Sequence, residues 1–522
     1  MIQHSLCSRL TTFFLAAAVS GFANSVASFA QDISGGASEM MVSADIEAKL
    51  GKGIFSPAQN RPHATKTLEK KTVTRSASSS RPQGRTAGDR QPGNNSSGVS
   101  SSRTDTSRND SSAKPRGPAK PVMDAEGYNR QGDDYFDAGQ YQKASESYQQ
   151  AIRKRADYPE AYLNLGETYF NLGRYDDAIA AEKKAITLKA DWAPAYRALG
   201  IANLKASRTT EAFEALNKAF SLDPNDAETR GSLSLIYYDQ GVTAYNANNY
   251  LDAVAAYQKA VNLKPDYAES YNNLGDAYRR MNKLTEAVDA YKHAVQINPN
   301  SVETQSNLSL TYDELGRYPE AAATYQQVVR LKPEDAEANN NMGYALGKSK
   351  RWNEAIAAFK RAIQLKPDYA EAYSNLGWAY NNVGTFTAAV EPLQKAIQLK
   401  PELSEPHFNI GITYSRLGQK EQALSSFQKT IQLKPDWPAA QNNLGYAYGS
   451  LGKWKEAIAA HQQAIKLKPD YAGAYFNLGF AYLKTGNKKA AAEQYKALKS
   501  LNVPLANQLY LMIYGKPAPA RG

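Results

Sequence analysis

The chain has 522 residues, with 62 Lys and Arg against 51 Asp and Glu, a formal net charge of +11. This length exceeds what one ordinary hydrophobic core organises, so several domains or a repeat array are expected. Its single cysteine, Cys7, excludes an intramolecular disulfide framework and any cysteine-based zinc or iron–sulfur site.

The first thirty residues have the pattern of an export signal. Arg9 precedes an apolar stretch over residues 10–23, and Ser28 and Ala30 place small residues three and one before a cut after residue 30. The strongly apolar part is shorter than the ~20 residues of a membrane-spanning helix, which favours a cleaved signal peptide over residues 1–30. An uncleaved membrane anchor is the alternative. We therefore expect an exported protein that is periplasmic, in the cell envelope or secreted.

Residues 31–124 are predicted to form a disordered basic arm rich in Ser, Arg, Pro and Gly. Phe55 is the only aromatic residue between 51 and 123, so this segment cannot bury enough apolar surface to offset its ordering entropy. Residues 51–123 carry 14 Lys and Arg against 4 Asp and Glu, a net of +10, whereas residues 125–522 carry 46 against 42. The arm can contact an anionic polymer or anionic lipid, or act only as a solvated linker. The nearly neutral remainder argues against specific nucleic-acid binding.

From residue 125 to residue 505 the sequence repeats with a period of 34 residues. The eighth position is glycine in ten repeats and Ser309 in the sixth, and the twentieth position is alanine in all eleven. The predicted repeats are 125–158, 159–192, 193–226, 234–267, 268–301, 302–335, 336–369, 370–403, 404–437, 438–471 and 472–505. Seven extra residues, 227–233, precede the fourth repeat. They equal about two helical turns, so its first helix is expected to begin early without changing its face.

Each repeat is predicted to be a helical hairpin. In the eighth repeat Tyr373, Leu376 and Tyr380 show the three- and four-residue spacing of an amphipathic helix. The small residues at positions eight and twenty let the two helices approach closely, and a proline near the end of most repeats stops the second helix. One hairpin cannot bury its apolar face alone, so stacked neighbours complete the core. Residues 506–522 are predicted to hold most of a capping helix, 503–514, and a tail.

This pattern resembles the tetratricopeptide repeat (TPR) family over 381 of the 522 residues. The eighth repeat shows the family signature in Tyr373, Leu376, Gly377, Tyr380, Ala389, Leu393, Ala396 and Pro401. The resemblance implies an all-α fold, a right-handed superhelical solenoid of about eleven hairpins. It also implies that the first helices line a concave face and that the protein binds other proteins.

The sixth position of the first helix, which the resemblance places on the concave face, carries a recurring asparagine. These residues are Asn164, Asn273, Asn307, Asn341, Asn375, Asn409, Asn443 and Asn477. Helix propensity does not explain them, and an amide offers both a donor and an acceptor for the backbone of an extended peptide. The phrase at residues 372–380 resembles the repeats of the O-linked N-acetylglucosamine transferase. The alternative is that these residues bind neighbouring backbone inside the fold.

The ninth position of the first helix divides the array into two halves. In the C-terminal half it carries the aromatic residues Tyr344, Trp378, Tyr446 and Phe480. In the first, second and fifth repeats it carries the acidic residues Asp133, Glu167 and Asp276. Aromatic rings in a concavity are common anchors for protein partners, which makes the C-terminal half a candidate peptide-binding groove. Alternatively, the rings pack between adjacent first helices.

No catalytic pattern is visible. The five histidines, at positions 4, 63, 293, 407 and 461, form no Ser–His–Asp arrangement and no His-x-x-x-His pair. We therefore expect no enzyme activity, no cofactor and no metal. The predicted function is an exported scaffold that binds extended segments of partner proteins in its concave groove. The alternative is a cell-envelope tether, in which the arm binds anionic polymer or lipid and the solenoid displays or oligomerises.

Overall fold

The computed structural model describes residues 123–516 and residue 518. The signal peptide predicted for residues 1–30 and nearly all of the arm predicted for residues 31–124 lie outside the described residues. Within the described part of the chain there are 23 α-helices and no β-strand, which confirms the all-α prediction. No helix in this part combines the length and the apolar character needed to cross a bilayer.

The helices belong to two compact bodies, an N-terminal body that ends at Thr304 and a C-terminal body that begins at Gln305. The first ten helices are α1 (Ala125–Asp137), α2 (Tyr141–Lys154), α3 (Pro159–Asn171), α4 (Tyr175–Leu188), α5 (Ala193–Lys205), α6 (Thr209–Leu222), α7 (Ala227–Asn246), α8 (Tyr250–Leu263), α9 (Ala268–Arg280) and α10 (Leu284–Ile297). The next thirteen are α11 (Val302–Glu314), α12 (Tyr318–Leu331), α13 (Ala336–Lys348), α14 (Trp352–Leu365), α15 (Ala370–Val383), α16 (Phe386–Leu399), α17 (Ser404–Arg416), α18 (Lys420–Leu433), α19 (Pro438–Ser450), α20 (Trp454–Leu467), α21 (Ala472–Lys484), α22 (Lys488–Leu501) and α23 (Val503–Tyr514).

The odd-numbered helices α1 to α21 are the first helices of the repeats, and the even-numbered helices α2 to α22 are the second helices. A close contact between position eight of the first helix and position twenty-four of the second helix joins the two helices of a repeat. A Cβ on Gly132 would lie 2.5 Å from the Tyr148 ring, and a Cβ on Gly377 would lie 2.3 Å from Cγ of Leu393. Only a very small residue at position eight admits the side chain at position twenty-four, which explains the recurring glycine.

The turn inside each hairpin ends on a residue with left-handed backbone geometry. Seven of these residues are glycine, but Ser207, Asn248, Asn282 and Lys350 take the same position with φ between 58° and 61°. The next residue closes the turn, as where the backbone N–H of Arg174 donates to the carbonyl of Tyr169 at 2.9 Å. This bond satisfies one of the carbonyls that a helix end leaves unpaired.

The first helix of the fourth repeat begins at Ala227, as the seven extra residues predict. Asp226 caps it by accepting a hydrogen bond from the backbone N–H of Thr229 at 2.8 Å. Arg197 on α5 binds the same carboxylate through Nη1 at 2.9 Å. These contacts hold the pKa of Asp226 below its ordinary value, although burial acts in the opposite direction. The cap therefore joins the start of α7 to the preceding repeat.

Helix α23 covers the last hairpin, as the predicted capping helix. Leu509 and Ile513 are buried, and Leu509 lies against Gly479, where a Cβ would meet Leu509 Cδ2 at 2.5 Å. In the other repeats with glycine at position eight, the equivalent contact comes from the hairpin's own position twenty-four. Here that residue is Tyr495, whose ring instead lies 5.1 Å from the ring of Tyr510. The cap thus inserts its own side chain into the last hairpin.

Candidate peptide-binding surface on the first helices

The predicted asparagine ladder occupies the same position on successive first helices. Asn273 and Asn375 are half-buried, and the other six members are buried, with 2–9% of their surface exposed. The buried members are Asn164, Asn307, Asn341, Asn409, Asn443 and Asn477. A buried amide must find partners inside the fold or in a ligand, so its hydrogen bonds decide what it can do.

In four repeats the amide nitrogen of the ladder residue donates to the fifth position of the preceding first helix. Asn375 donates to Asn340 Oδ1 at 3.0 Å, and Asn477 donates to Asn442 Oδ1 at 3.0 Å. The other two are Asn164 to Asn129 Oδ1 at 3.3 Å and Asn273 to the Tyr238 hydroxyl at 3.1 Å. In these repeats the ladder joins adjacent first helices, a role close to the structural alternative stated above.

The amide oxygens of the last three ladder residues have no donor. Oδ1 of Asn409, Asn443 and Asn477 is buried and makes no hydrogen bond. The nitrogen of Asn443 is used within its own helix, donating to the carbonyl of Ala439 at 2.8 Å. Buried acceptors without partners are uncommon in folded proteins. Three of them at a 34-residue interval give the last three repeats capacity to accept N–H donors.

The aromatic residue at position nine of the eighth repeat is an interior side chain. Trp378 is 5% exposed, with its ring centroid 5.8 Å from that of Tyr344 and 5.0 Å, edge-on, from that of Trp352. A Cβ on Gly347 would lie 2.7 Å from the Trp378 ring, so the absence of a side chain there makes room for the indole. Trp378 therefore packs between adjacent repeats.

The other three predicted rings keep part of their surface exposed. Tyr344, Tyr446 and Phe480 are half-buried. The Phe480 ring lies 6.0 Å from Trp454, and Lys484 Nζ lies 5.2 Å from its centroid. These rings can contact a ligand with the part of each face that remains open.

Two of the three acidic side chains at position nine, Asp133 and Asp276, are bonded to tyrosines at position twenty-four. The Tyr148 hydroxyl donates to Asp133 at 2.8 Å, and the Tyr291 hydroxyl donates to Asp276 at 2.5 Å. Burial raises the pKa of Asp276 to about 6, although the bond from Tyr291 acts in the opposite direction. This pairing was not predicted from the sequence, but aligning position twenty-four with position nine would have shown it.

Two further residues missed by the sequence analysis occupy position twenty-four itself. Glu182 is 1% exposed, its Oε2 has no hydrogen-bond partner, and burial raises its pKa to about 8, with a smaller contribution from the nearby charge of Glu167. His461 is 3% exposed, with Nδ1 2.9 Å from Asn442 Oδ1, and burial lowers its pKa to about 3. Because that oxygen can only accept, Nδ1 carries the proton. In the sequence analysis this position appears only through Leu393, as part of the family signature.

Among the described residues, no group of three or more His, Cys, Asp or Glu side chains is placed to hold a metal ion. The candidate site is the asparagine ladder, with the aromatic rings that lie three residues further along the same helices.

Comparison with known proteins identifies the repeat. Models described as TPR repeat or tetratricopeptide repeat match residues 132–173, 159–191, 244–282, 267–334, 348–384, 370–403, 404–436, 447–486 and 472–502. No curated protein matches the sequence.

Similar solved structures cover this chain to different extents. The APC/C hetero-tetramer Cut9–Hcn1 is 15% identical over 75% of this chain and 97% of that chain, with a TM-score of 0.41. MamA is 31% identical over 32% of this chain and 92% of that chain, with a TM-score of 0.31. YrrB, a TPR protein with an unusual peptide-binding site, is 23% identical over 36% of this chain and 97% of that chain, with a TM-score of 0.32. On the evidence of its eleven hairpins and of these family matches, the chain belongs to the tetratricopeptide repeat family.

Proposed function

We propose that this protein is an exported scaffold that binds extended segments of partner proteins along the first helices of its last repeats. Membership of the TPR family supports a protein-interaction scaffold, a fold that is typically not catalytic. Binding of an extended segment along the last repeats is supported by the buried, unpartnered amide oxygens of Asn409, Asn443 and Asn477. Tyr446 and Phe480, three residues further along two of the same helices, supply apolar contact beside them.

The spacing of the ladder favours one backbone conformation of the ligand. Packed helices lie about 8–10 Å apart, so successive ladder residues are separated by a similar distance. A polyproline II segment rises about 3.1 Å per residue with three residues per turn, so its N–H groups point the same way about every 9 Å. One N–H in three would then meet one asparagine. Such binding depends little on the side chains of the ligand.

Access to the oxygens requires a local movement of the amides. The terminal torsion of asparagine is broad, so the amide can rotate and turn its oxygen toward a ligand. For Asn443 and Asn477 this rotation breaks the bond that the nitrogen donates to Ala439 or Asn442, so the ligand must supply an acceptor for the nitrogen as well as an N–H for the oxygen.

A matched set of variants tests the ladder. In the first, Asn409, Asn443 and Asn477 are changed to Ala in the full chain. In the control, Asn217, Asn262 and Asn353, which lie on second helices, are changed to Ala. Partners captured from the envelope fraction of the source cells should be lost with the ladder variant and retained by the control. Melting curves of both variants separate loss of binding from loss of structure.

A synthetic peptide tests the backbone mechanism directly. A fluorescent Pro-Pro-Ala repeat carries an N–H only at every third residue, and its N-methylalanine counterpart carries none. The first peptide should bind the wild-type chain at least tenfold more tightly than the second, and the ladder variant should abolish the difference. Equal binding of the two peptides would reject backbone recognition. Partners that depend only on the arm and dissociate in salt would instead support the tether.

A further inference from the structure

In the C-terminal body, the turns inside the hairpins lie along one edge. Each turn runs from the last residue of the first helix into the first turn of the second helix. Successive first helices contact each other, as α17 contacts α19 and α19 contacts α21, so their turns follow one another about 10 Å apart. The guanidinium carbon of Arg416 lies 5.9 Å from the ring centroid of Phe386, in the preceding turn. We term the turns of the last three repeats, residues 416–422, 450–456 and 484–490, the C-terminal turn edge.

The C-terminal turn edge is strongly basic. It carries seven Lys and Arg against two Asp and Glu, a net of +5. All seven cations are exposed, and none of them forms an ion pair within the described part of the chain. The same positions of the first three repeats carry four Lys and Arg against four Asp and Glu. There Arg174 pairs with Asp177 at 2.7 Å and Arg208 pairs with Asp176 at 2.8 Å, so only the last repeats present unpaired positive charge on their turns.

Apolar side chains are exposed beside these cations. Val383 and Leu417, at position fourteen of the eighth and ninth repeats, are 42% and 36% exposed. The hairpin does not require an apolar residue there, because Ser349 and Thr485 occupy the same position in the seventh and eleventh repeats. The turns of these repeats therefore combine exposed apolar groups with unpaired cations.

We propose that the C-terminal turn edge, together with Val383 and Leu417, binds the surface of a bilayer that contains anionic lipid. Lysine and arginine side chains near such a surface are attracted to its headgroups, and apolar neighbours enter the boundary between headgroups and acyl chains. A soluble polyanion would pair with the cations but would leave Val383 and Leu417 in water. The exposed apolar residues therefore favour a bilayer as the partner.

The turn edge is separate from the asparagine ladder, so this proposal does not depend on the proposed function. The ladder occupies position six, seven residues and about 10 Å along the first helix from position thirteen, where the turn edge begins. The two surfaces can therefore be occupied together, and a partner on the ladder would be held close to the bilayer.

The test measures co-sedimentation with vesicles of equimolar phosphatidylcholine and phosphatidylglycerol. The parent protein is the full chain with the fourteen Lys and Arg of residues 51–122 changed to Gln, so that the basic arm does not contribute. The edge variant changes four further exposed lysines to Gln: Lys453, Lys455, Lys488 and Lys489. The control variant removes the same net charge from the same body, at the far ends of second helices, about 15 Å or more from the turns: Lys366, Lys434, Lys466 and Lys468 to Gln.

The edge variant should bind these vesicles at least tenfold more weakly than the parent, because each lysine near an anionic surface strengthens binding by about fivefold. The control variant should bind nearly as the parent does. Vesicles of phosphatidylcholine alone measure any binding that needs no anionic lipid. Melting curves of all variants separate loss of binding from loss of structure.

A second variant distinguishes a bilayer from a soluble polyanion. Val383→Thr with Leu417→Ser replaces the exposed apolar residues by side chains of the kind that Thr485 and Ser349 supply at the same position. It should weaken vesicle binding by about threefold or more, since less apolar surface leaves water. Binding of soluble poly-glutamate should not change.

Three outcomes would overturn the proposal. If the edge and control variants bind the vesicles equally, net charge and not the turn edge governs binding. If the apolar variant binds vesicles as the parent does and poly-glutamate binds the turn edge, the partner is a soluble polyanion. If the parent fails to bind the vesicles in low salt, where surface charge acts most strongly, the turn edge is not a membrane-binding surface.

Discussion

Gly166 and Glu182 are in direct contact: a Cβ on Gly166 would lie 2.7 Å from Cγ of Glu182. The glycine lets the side chain of Glu182 enter the hairpin where other repeats insert a ring or a leucine. The carboxyl is carried into the interior with it, and burial raises its pKa to about 8. The glycine makes the room and the glutamate fills it, so the second repeat has a carboxyl in its interior.

Glu182 should make the N-terminal body less stable as the pH rises. Between its ordinary pKa of 4.5 and about 8, the unfolded chain releases the proton while the folded chain keeps it. Stability therefore falls across this window, by on the order of a few kcal/mol for a group this buried. Glu182→Leu should remove the slope and raise stability at pH 8.5. The stability of α3 and α4 is measured by hydrogen exchange at pH 5 and pH 8.5. Glu182→Gln is the control without an ionisable group. A loss of stability with rising pH that persists in both variants would contradict the assignment of this effect to Glu182.

His461 should act in the opposite direction in the C-terminal body. Burial lowers the pKa of His461 from its ordinary value of 6.5 to about 3. Between these pH values the imidazole is protonated in the unfolded chain and neutral in the folded chain. Stability should therefore fall as the pH drops from 6.5 to 3. In the seventh and ninth repeats the same position holds phenylalanine, as Phe359 and Phe427. His461→Phe should therefore make α19 and α20 less sensitive to acid. Hydrogen exchange at pH 4 and pH 7 is the measurement, and equal acid sensitivity of variant and wild type would refute it.

Gly377 should tolerate no side chain, although Ser309 occupies the same repeat position in the sixth repeat. In Gly377→Ala the new methyl would lie 2.3 Å from Cγ of Leu393, so the two helices must separate or the leucine must leave its rotamer. Overpacking of this kind costs about 1–3 kcal/mol. Gly231→Ala is the control, because Gly231 lies inside α7 with nothing within 4 Å of a Cβ. That change should stabilise α7 by up to ~1 kcal/mol, since alanine favours helix. Urea denaturation, monitored repeat by repeat through hydrogen exchange, distinguishes the effects of the two substitutions.

The bond from Asn273 to the Tyr238 hydroxyl should couple two adjacent first helices. A double-mutant cycle with Asn273→Ala and Tyr238→Phe removes the two partners separately and together. The coupling free energy should be about 0.5–1.5 kcal/mol, the usual net value of one hydrogen bond. The same cycle with Tyr237→Phe, whose ring packs on Phe213, should give a value near zero. Equal couplings in both cycles would show that the bond does not hold the helices together.

The period alone predicted most of the fold. A small residue at position eight, alanine at position twenty and the proline stops of most repeats located the hairpins, and a helix of 20 residues begins at Ala227, as the seven extra residues predicted. These features are local or recur at fixed distance, so a single sequence reveals them.

The environment of the site residues depends on contacts that the period does not encode. The burial of Trp378 depends on the missing side chain of Gly347 and on the neighbouring Trp352 ring. The amide of Asn375 is bonded to Asn340 because adjacent first helices bring position six beside position five. Position twenty-four holds Tyr, Leu or Phe in the other nine repeats, so the sequence could have located Glu182 and His461. It could not have shown how completely the fold buries them.

The insertion of Leu509 beneath Gly479 has a consequence for the number of repeats. A twelfth hairpin stacked after residue 505 would bring its own first helix onto α21 and α22, and α23 would have to withdraw its leucine first. Each interior repeat contacts mainly its neighbours, so copies could be duplicated or deleted between repeats without disturbing this arrangement. Changes in copy number by gain or loss of whole 34-residue segments are therefore easier inside the array than at its C-terminal edge.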